Sequence, residues 1–149
     1  FDDPSLVANS SFFLPYLSGE RTPHNDPHIR GSFHAMKTTT DATNMQYAVI
    51  EGVSFGILDG VNAILKVNDN FDKIFMVGGG SRSSFWIELL STLLNKKLSV
   101  CDQSEYGAAL GVARLAMHSD DGIQNKEDII KEIKIGKSYS PSPNKTDML

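Results

Sequence analysis

Residues 73–86 read Lys-Ile-Phe-Met-Val-Gly-Gly-Gly-Ser-Arg-Ser-Ser-Phe-Trp, and these are the residue types and spacing in the chain best suited to chemistry. An apolar, strand-like run enters three consecutive glycines, Gly78, Gly79 and Gly80. Ser81 to Ser84 make a polar turn, and a helix-like apolar pattern begins at Phe85. A strand that ends in glycine and opens into a helix presents backbone N–H groups at one spot. The helix dipole adds partial positive charge there, so phosphate can be held without a lysine. Glycine lets a ligand approach the backbone and permits positive φ. The same residues also suit a tight strand-to-helix turn with no ligand, and on spacing alone both readings stand.

Other constellations compete for the function. Asp102 closes the next strand, about where a dinucleotide-binding unit of Rossmann type places its ribose-binding acid. Against that reading, Ser83 occupies the third glycine position, and two strands and a long helix precede a motif that normally opens its domain. A Walker-type phosphate loop is excluded, because no Gly-Lys-Ser or Gly-Lys-Thr occurs. His24, Asp26 and His28 carry metal-ligand chemistry, but without a helix or strand to fix them a polar loop is the plainer reading, and no metal site is expected. Cys101 has no base or metal partner near it in sequence and reads as an apolar filler. Trp86 lies in helical register with Leu89, Leu90, Leu93 and Leu94, so it is expected in the core.

The elements that must position these residues follow from periodicity. Phe12 to Leu17 reads as a short strand cut by Pro15. Ser18 to Arg30, with Glu20, Arg21, two prolines and two histidines, is a candidate functional loop. Gly31 to Lys37 is a second strand. Thr38 to Asp41 offers N-caps, and Thr43-x-x-Gln46 an alternative capping box, for a helix over 41–66. Gly52, Gly56 and Gly60 recur at every fourth residue, each costing about 1 kcal/mol against alanine, which predicts another backbone packed closely on that side. Strand 73–77, helix 82–95, strand 97–102 and helix 107–118 come next, with Glu105 favourably placed at the last helix start. A helix over 125–135 ends the pattern. The alternation predicts an α/β domain over 1–149, with 1–11 and 136–149 flanking or loosely ordered.

Length and composition suit one domain with a core, at 149 residues and 40% hydrophobic content. A net charge of −4 provides no basic field for nucleic acid or anionic membrane. One cysteine fits a reducing compartment, and neither an apolar run of spanning length nor a leader is evident, so a cytoplasmic protein is expected. The opening Phe1-Asp2-Asp3-Pro4, without methionine, is what a piece cut from a longer protein would show.

Several runs go beyond spacing. Phe13-Leu14-Pro15-Tyr16-Leu17-Ser18-Gly19-Glu20-Arg21-Thr22-Pro23-His24-Asn25-Asp26-Pro27 closely resembles a run in those FGGY carbohydrate kinases that phosphorylate D-xylulose. Arg30-Gly31-x-Phe33, then Asn44-Met45-x-x-Ala48-Val49-Ile50-Glu51-Gly52, is similar to that family's second signature, with Ala35-Met36 where the family usually has Gly-Leu. Gly78 to Ser83 resembles its ATP-binding turn, and Glu105-x-x-Ala108-Ala109-Leu110-Gly111 the helix start after it. The resemblance runs in order from about 12 to 118. It implies an actin-like (ribonuclease-H-like) ATPase domain, the C-terminal one of a two-domain sugar kinase. It also implies ATP and Mg2+ as cofactors and transfer of the γ-phosphoryl to D-xylulose, with gluconate and ribulose kinases as near alternatives. Gly78, Gly79 and Gly80 would meet ATP, and Ser83 stands where related kinases often carry an asparagine beside the nucleotide. Glu20 and Arg21 would be a cleft pair or an ion pair holding their loop. The catalytic aspartate and the other phosphate loops would precede Phe1, so no catalytic residue is expected here and this chain alone should be inert. A homodimer is left open.

Overall fold

A computed structural model describes residues 11–67, 71, 73–102, 106–119, 129 and 134–142. Strand β1 (Phe12–Leu14) pairs antiparallel with β2 (Ser32–His34), placing Phe13 opposite Phe33 with ring centroids 4.7 Å apart. Both strands are shorter than their apolar runs suggest. Pro15 cannot donate to the ladder, and Ala35 turns the chain with φ +59°, a conformation natural to glycine.

Helix α1 (Ala42–Leu65) begins at a reciprocal cap. The Asp41 carboxylate accepts the Asn44 N–H at 2.9 Å, and the Asn44 side chain accepts the Asp41 N–H at 3.1 Å. Thr43, expected as an alternative cap, lies inside the helix instead. α1 runs along β1, and its glycines divide. A Cβ at Gly52 would collide with the Phe13 carbonyl oxygen, the close backbone approach expected from the pattern. At Gly56 a Cβ would sit 3.5 Å from the Pro15 ring, and at Gly60 it would meet nothing within 4 Å. α1 also corrects the expectation that no apolar run has spanning length: its 24 residues are long and apolar enough to cross a membrane. Here that apolarity serves packing against β1 and the next helix, and Glu51 and Asp59 interrupt it.

A second sheet has the order β3-β4-β5. β3 (Ile74–Met76) runs parallel to β4 (Leu98–Cys101), as the alternation predicts. β5 (Ile135–Tyr139) runs antiparallel to β4 and sets Tyr139 opposite Leu98. The span from Gly136 is therefore not loosely ordered as far as it is described. β4 has an edge of N–H and C=O groups that need partners, and the tail supplies them. The Ser91 hydroxyl donates to the Tyr139 carbonyl at 3.2 Å, and the Thr92 hydroxyl accepts the Ser142 N–H at 3.1 Å. Ile135 opens this strand rather than closing a helix. Most of the helix expected over 125–135, and all of 1–10 and 143–149, lies outside the described residues. Ser11, counted with the flank, is fully buried.

Helix α2 (Ser84–Leu94) lies on this sheet and against α1. Ile87, Leu90 and Leu98 are fully buried, with Ile57, Ile74, Met76, Trp86, Leu94, Val100 and Tyr139 around them. Trp86 is core, as its register predicts, and its indole N–H donates to the Ser54 hydroxyl at 2.9 Å. α2 stops at Asn95, which takes the left-handed conformation (φ +48°) that asparagine tolerates. Helix α3 (Gly107–Ser119) buries none of its residues, and Val112 and Leu115 are 67% and 73% exposed.

Candidate functional site

The chain leaves β3 through Val77 and enters Gly78 at φ +89°. Only glycine holds that backbone without strain. Gly79 to Arg82 then form one 3-10 turn. The Gly78 carbonyl accepts both the Ser81 N–H at 3.1 Å and the buried Ser81 hydroxyl at 2.7 Å, which locks the turn. Gly79 and Gly80 open it, so their N–H groups find no acceptor inside the turn. Ser83 follows as the N-cap of α2, its hydroxyl accepting the Trp86 N–H at 3.3 Å. A serine hydroxyl that accepts one bond still has its own proton to donate, and Ser83 is exposed.

The three glycines differ in what requires them. Gly78 is needed for its positive φ. Gly80 is needed because a Cβ would run into the Trp86 ring. At Gly79 a Cβ would meet nothing within 4 Å, and its φ is not positive. No contact within the described fold asks for glycine there, whereas close approach of an outside group to the backbone would.

Beside the turn, where β3 and β4 end and β5 begins, lies an open depression of about 510 Å³. Ser81, Arg82, Ser84, Cys101, Asp102 and Lys137 line it. Sequence reasoning missed Lys137, which comes from the tail read as loosely ordered, and treated half-buried Cys101 as filler only. Asp102 lines this depression with its carboxylate against Gly136 of β5, and its N–H donates to the Lys134 carbonyl at 2.8 Å. β5 runs antiparallel on β4, so no further parallel strand adjoins β4 on that side.

Glu20 and Arg21 line a separate depression of about 370 Å³ with Ser18, Gly19, Asn25 and Pro27. They do not form a side-chain ion pair. The Glu20 carboxylate accepts the backbone N–H of Arg21 at 2.7 Å and of Thr22 at 3.3 Å, so it shapes the loop instead. Backbone bonds of 2.9 Å in both directions between Glu20 and Asp26 close the loop, and Gly19 (φ +88°) packs on Pro27. His24 belongs to another group. Its Nε2 shares a hydrogen bond of 3.0 Å with the Tyr16 hydroxyl and lies 3.8 Å from the Asp59 carboxylate of α1. Burial, then the charges of Asp59 and Glu20, pushes the Tyr16 hydroxyl above its ordinary range. Asp26 caps the His28 N–H at 2.7 Å, so these three residues hold the loop rather than converge on one point. Among the described residues no group of three His, Cys, Asp or Glu could hold a metal ion. Glu105 lies outside the described residues.

Residues 2–119 match the model of the FGGY family of carbohydrate kinases, C-terminal domain. The chain is similar to the xylulose kinase of Escherichia coli, with 31% identity over 134 residues covering 90% of this chain and 28% of that protein. Among solved structures it is similar to a xylulose kinase of Brucella ovis, at 34% identity and TM-score 0.77, covering 97% of this chain and 31% of that one. A gluconate kinase of Lactobacillus acidophilus aligns at 28% identity and TM-score 0.70, over 96% of this chain and 30% of that one. The chain spans under a third of the length of these relatives.

Proposed function

This chain belongs to the FGGY family of carbohydrate kinases, as its C-terminal domain of actin-like fold, and on that premise we propose that it is the nucleotide-holding part of a cytoplasmic xylulokinase. The observation that carries the reading is Gly79, a glycine that nothing inside the described fold requires. In this reading the N–H groups of Gly79 and Gly80 meet ATP phosphate oxygens, helped by the α2 N-terminus. Gly78 sets the direction of the turn, and the Ser83 hydroxyl donates to the nucleotide. Arg82, exposed at the rim of the adjoining depression, adds positive charge on the same side.

Mg2+ would be held by the phosphates together with polypeptide outside this chain, where the catalytic base also belongs. Bound Mg-ATP supplies the transferable phosphoryl group, and this chain's part is to bind and orient it. The sugar reading, D-xylulose to D-xylulose 5-phosphate, rests on the loop over residues 13–27 and on relatives named as xylulose kinases. Glu20 and Arg21 would face the cleft from that loop. The gluconate kinase among the similar structures makes gluconate the competing acceptor.

The test is Gly79→Val in the complete enzyme. A β-branched side chain there blocks approach to the backbone at a position where a Cβ meets nothing within 4 Å, so the KM for ATP should rise about tenfold, the loss expected for charge-assisted hydrogen bonds. The KM for the sugar and the melting temperature should hold. Gly80→Val is the control that must not be used alone, because it displaces Trp86 and should lower stability by about 1–3 kcal/mol. Unchanged ATP kinetics in Gly79→Val would mean that the glycines only turn the chain.

A further inference from the structure

α1 carries a second feature, remote in sequence from the glycine turn. Glu51 is only 8% exposed, and among the described residues its carboxylate has no hydrogen-bond or ion-pair partner. It lines a pocket of about 190 Å³ between β1 and α1, with Phe13, Tyr16, Phe55, Gly52 and Asp59. Glu51, Phe55 and Asp59 follow one another at four-residue spacing, so α1 presents acid, ring and acid along one stripe. Asp59 is shared with His24 at 3.8 Å, and Tyr16 with the same imidazole, so the aromatic side of the pocket is held in place. Gly52 and Gly56 keep side-chain bulk out of the pocket wall.

The Glu51 side chain is buried except where its carboxylate meets the pocket, and a charge with so little water around it is costly unless a partner compensates it. We propose that this pocket receives one arginine side chain, presented by a polypeptide segment outside this chain, with Glu51 as its counter-ion. Charge complementarity argues for a cation. The aromatic walls argue for guanidinium over ammonium, because a planar, weakly hydrated cation stacks on rings and buries its stem. The volume, several times the roughly 30 Å³ that one water occupies in the liquid, suits a single side chain. The relatives are more than three times as long as their match to this chain, so most of the polypeptide that could carry such an arginine lies elsewhere. Burial also holds the Glu51 carboxyl above its ordinary range, as an uncompensated site requires.

The experiment titrates the isotope-labelled chain with N-acetyl-arginine-N-methylamide, with its neutral citrulline counterpart and with the free diamine putrescine, following amide signals by NMR. The expected result is saturable shifts at Gly52 and Gly56 for the arginine compound, with at least about tenfold weaker binding of citrulline. Glu51→Gln should abolish the difference between arginine and citrulline. Equal affinity for the two, tighter binding of putrescine, or no saturable shift at either glycine would overturn the proposal. If Glu51→Gln fails to fold, the citrulline comparison on the unaltered chain decides alone.

Discussion

Gly78, Gly79 and Gly80 are identical as letters, yet each is glycine for its own reason: backbone conformation, open access, and room for Trp86. A substitution series across the turn therefore measures three different things. Glu51 is the other residue whose surroundings change its meaning, since in sequence it is one acid on an amphipathic helix. Desolvation raises its pKa above the ordinary 4.5, and Tyr47, one turn earlier, is pushed up by its own burial and then by Glu51. A carboxyl whose folded pKa lies above its unfolded value binds more protons in the folded state. Its favourable contribution is complete below the unfolded pKa and is lost as pH rises through the folded one. Stability should thus fall above about pH 4.5, at most by about 1.4 kcal/mol per pH unit from this group. Melting temperatures of the chain and of Glu51→Gln, compared from pH 4 to 8, check this. The variant should gain on the parent as pH rises, and parallel curves would contradict the assignment.

The elements show where periodicity is informative and where it is not. The α1 stripe of glycines suggested one close backbone contact repeated along the helix, but β1 is three residues long and ends at Leu14. It can touch Gly52, its continuation at Pro15 reaches Gly56, and nothing described extends to Gly60. Gly52→Ala should cost about 3 kcal/mol, because the obstacle is a backbone carbonyl that cannot rotate away. Gly60→Ala should stabilise by about 0.5–1 kcal/mol, the ordinary helix-propensity gain. Denaturant unfolding of the two variants checks both, and equal effects would show that the glycines act through propensity alone. β5 teaches the opposite lesson. Ile-Gly-Lys-Ser-Tyr has little strand character of its own, and only the open edge of β4 makes it a strand.

At the scale of the whole molecule, the proposed function makes this chain one part of a larger catalytic arrangement. Among the described residues the fully buried apolar cluster is Ile87, Leu90 and Leu98, while α3 leaves Val112, Leu115 and Met117 exposed. Phosphoryl transfer depends on positioning the nucleotide, metal and acceptor together, and in the proposed function the catalytic base and part of the metal site lie on polypeptide outside this chain. On the proposed function, the chain alone should show no turnover of D-xylulose with Mg-ATP in a coupled assay, and the complete protein should show it. Turnover by the purified chain above that of a buffer blank would contradict this.

What the sequence determined by itself was local or lexical. The strand, glycine turn and helix over 73–95, the core register of Trp86, a set of N-cap candidates that includes Asp41 and the FGGY-like runs are each carried by contiguous residues, where spacing and side-chain type suffice. What only the tertiary structure decided depends on partners distant in the chain. Gly80 is explained by a ring six residues on, Gly52 by a carbonyl thirty-nine residues back, and β5 by an edge formed some forty residues earlier. The Glu20 carboxylate turned inward to its own loop because backbone N–H groups lay nearer than the Arg21 guanidinium. Glu51 lost part of its water only when β1 was laid over α1, since desolvation is a property of packing and has no signature in residue order.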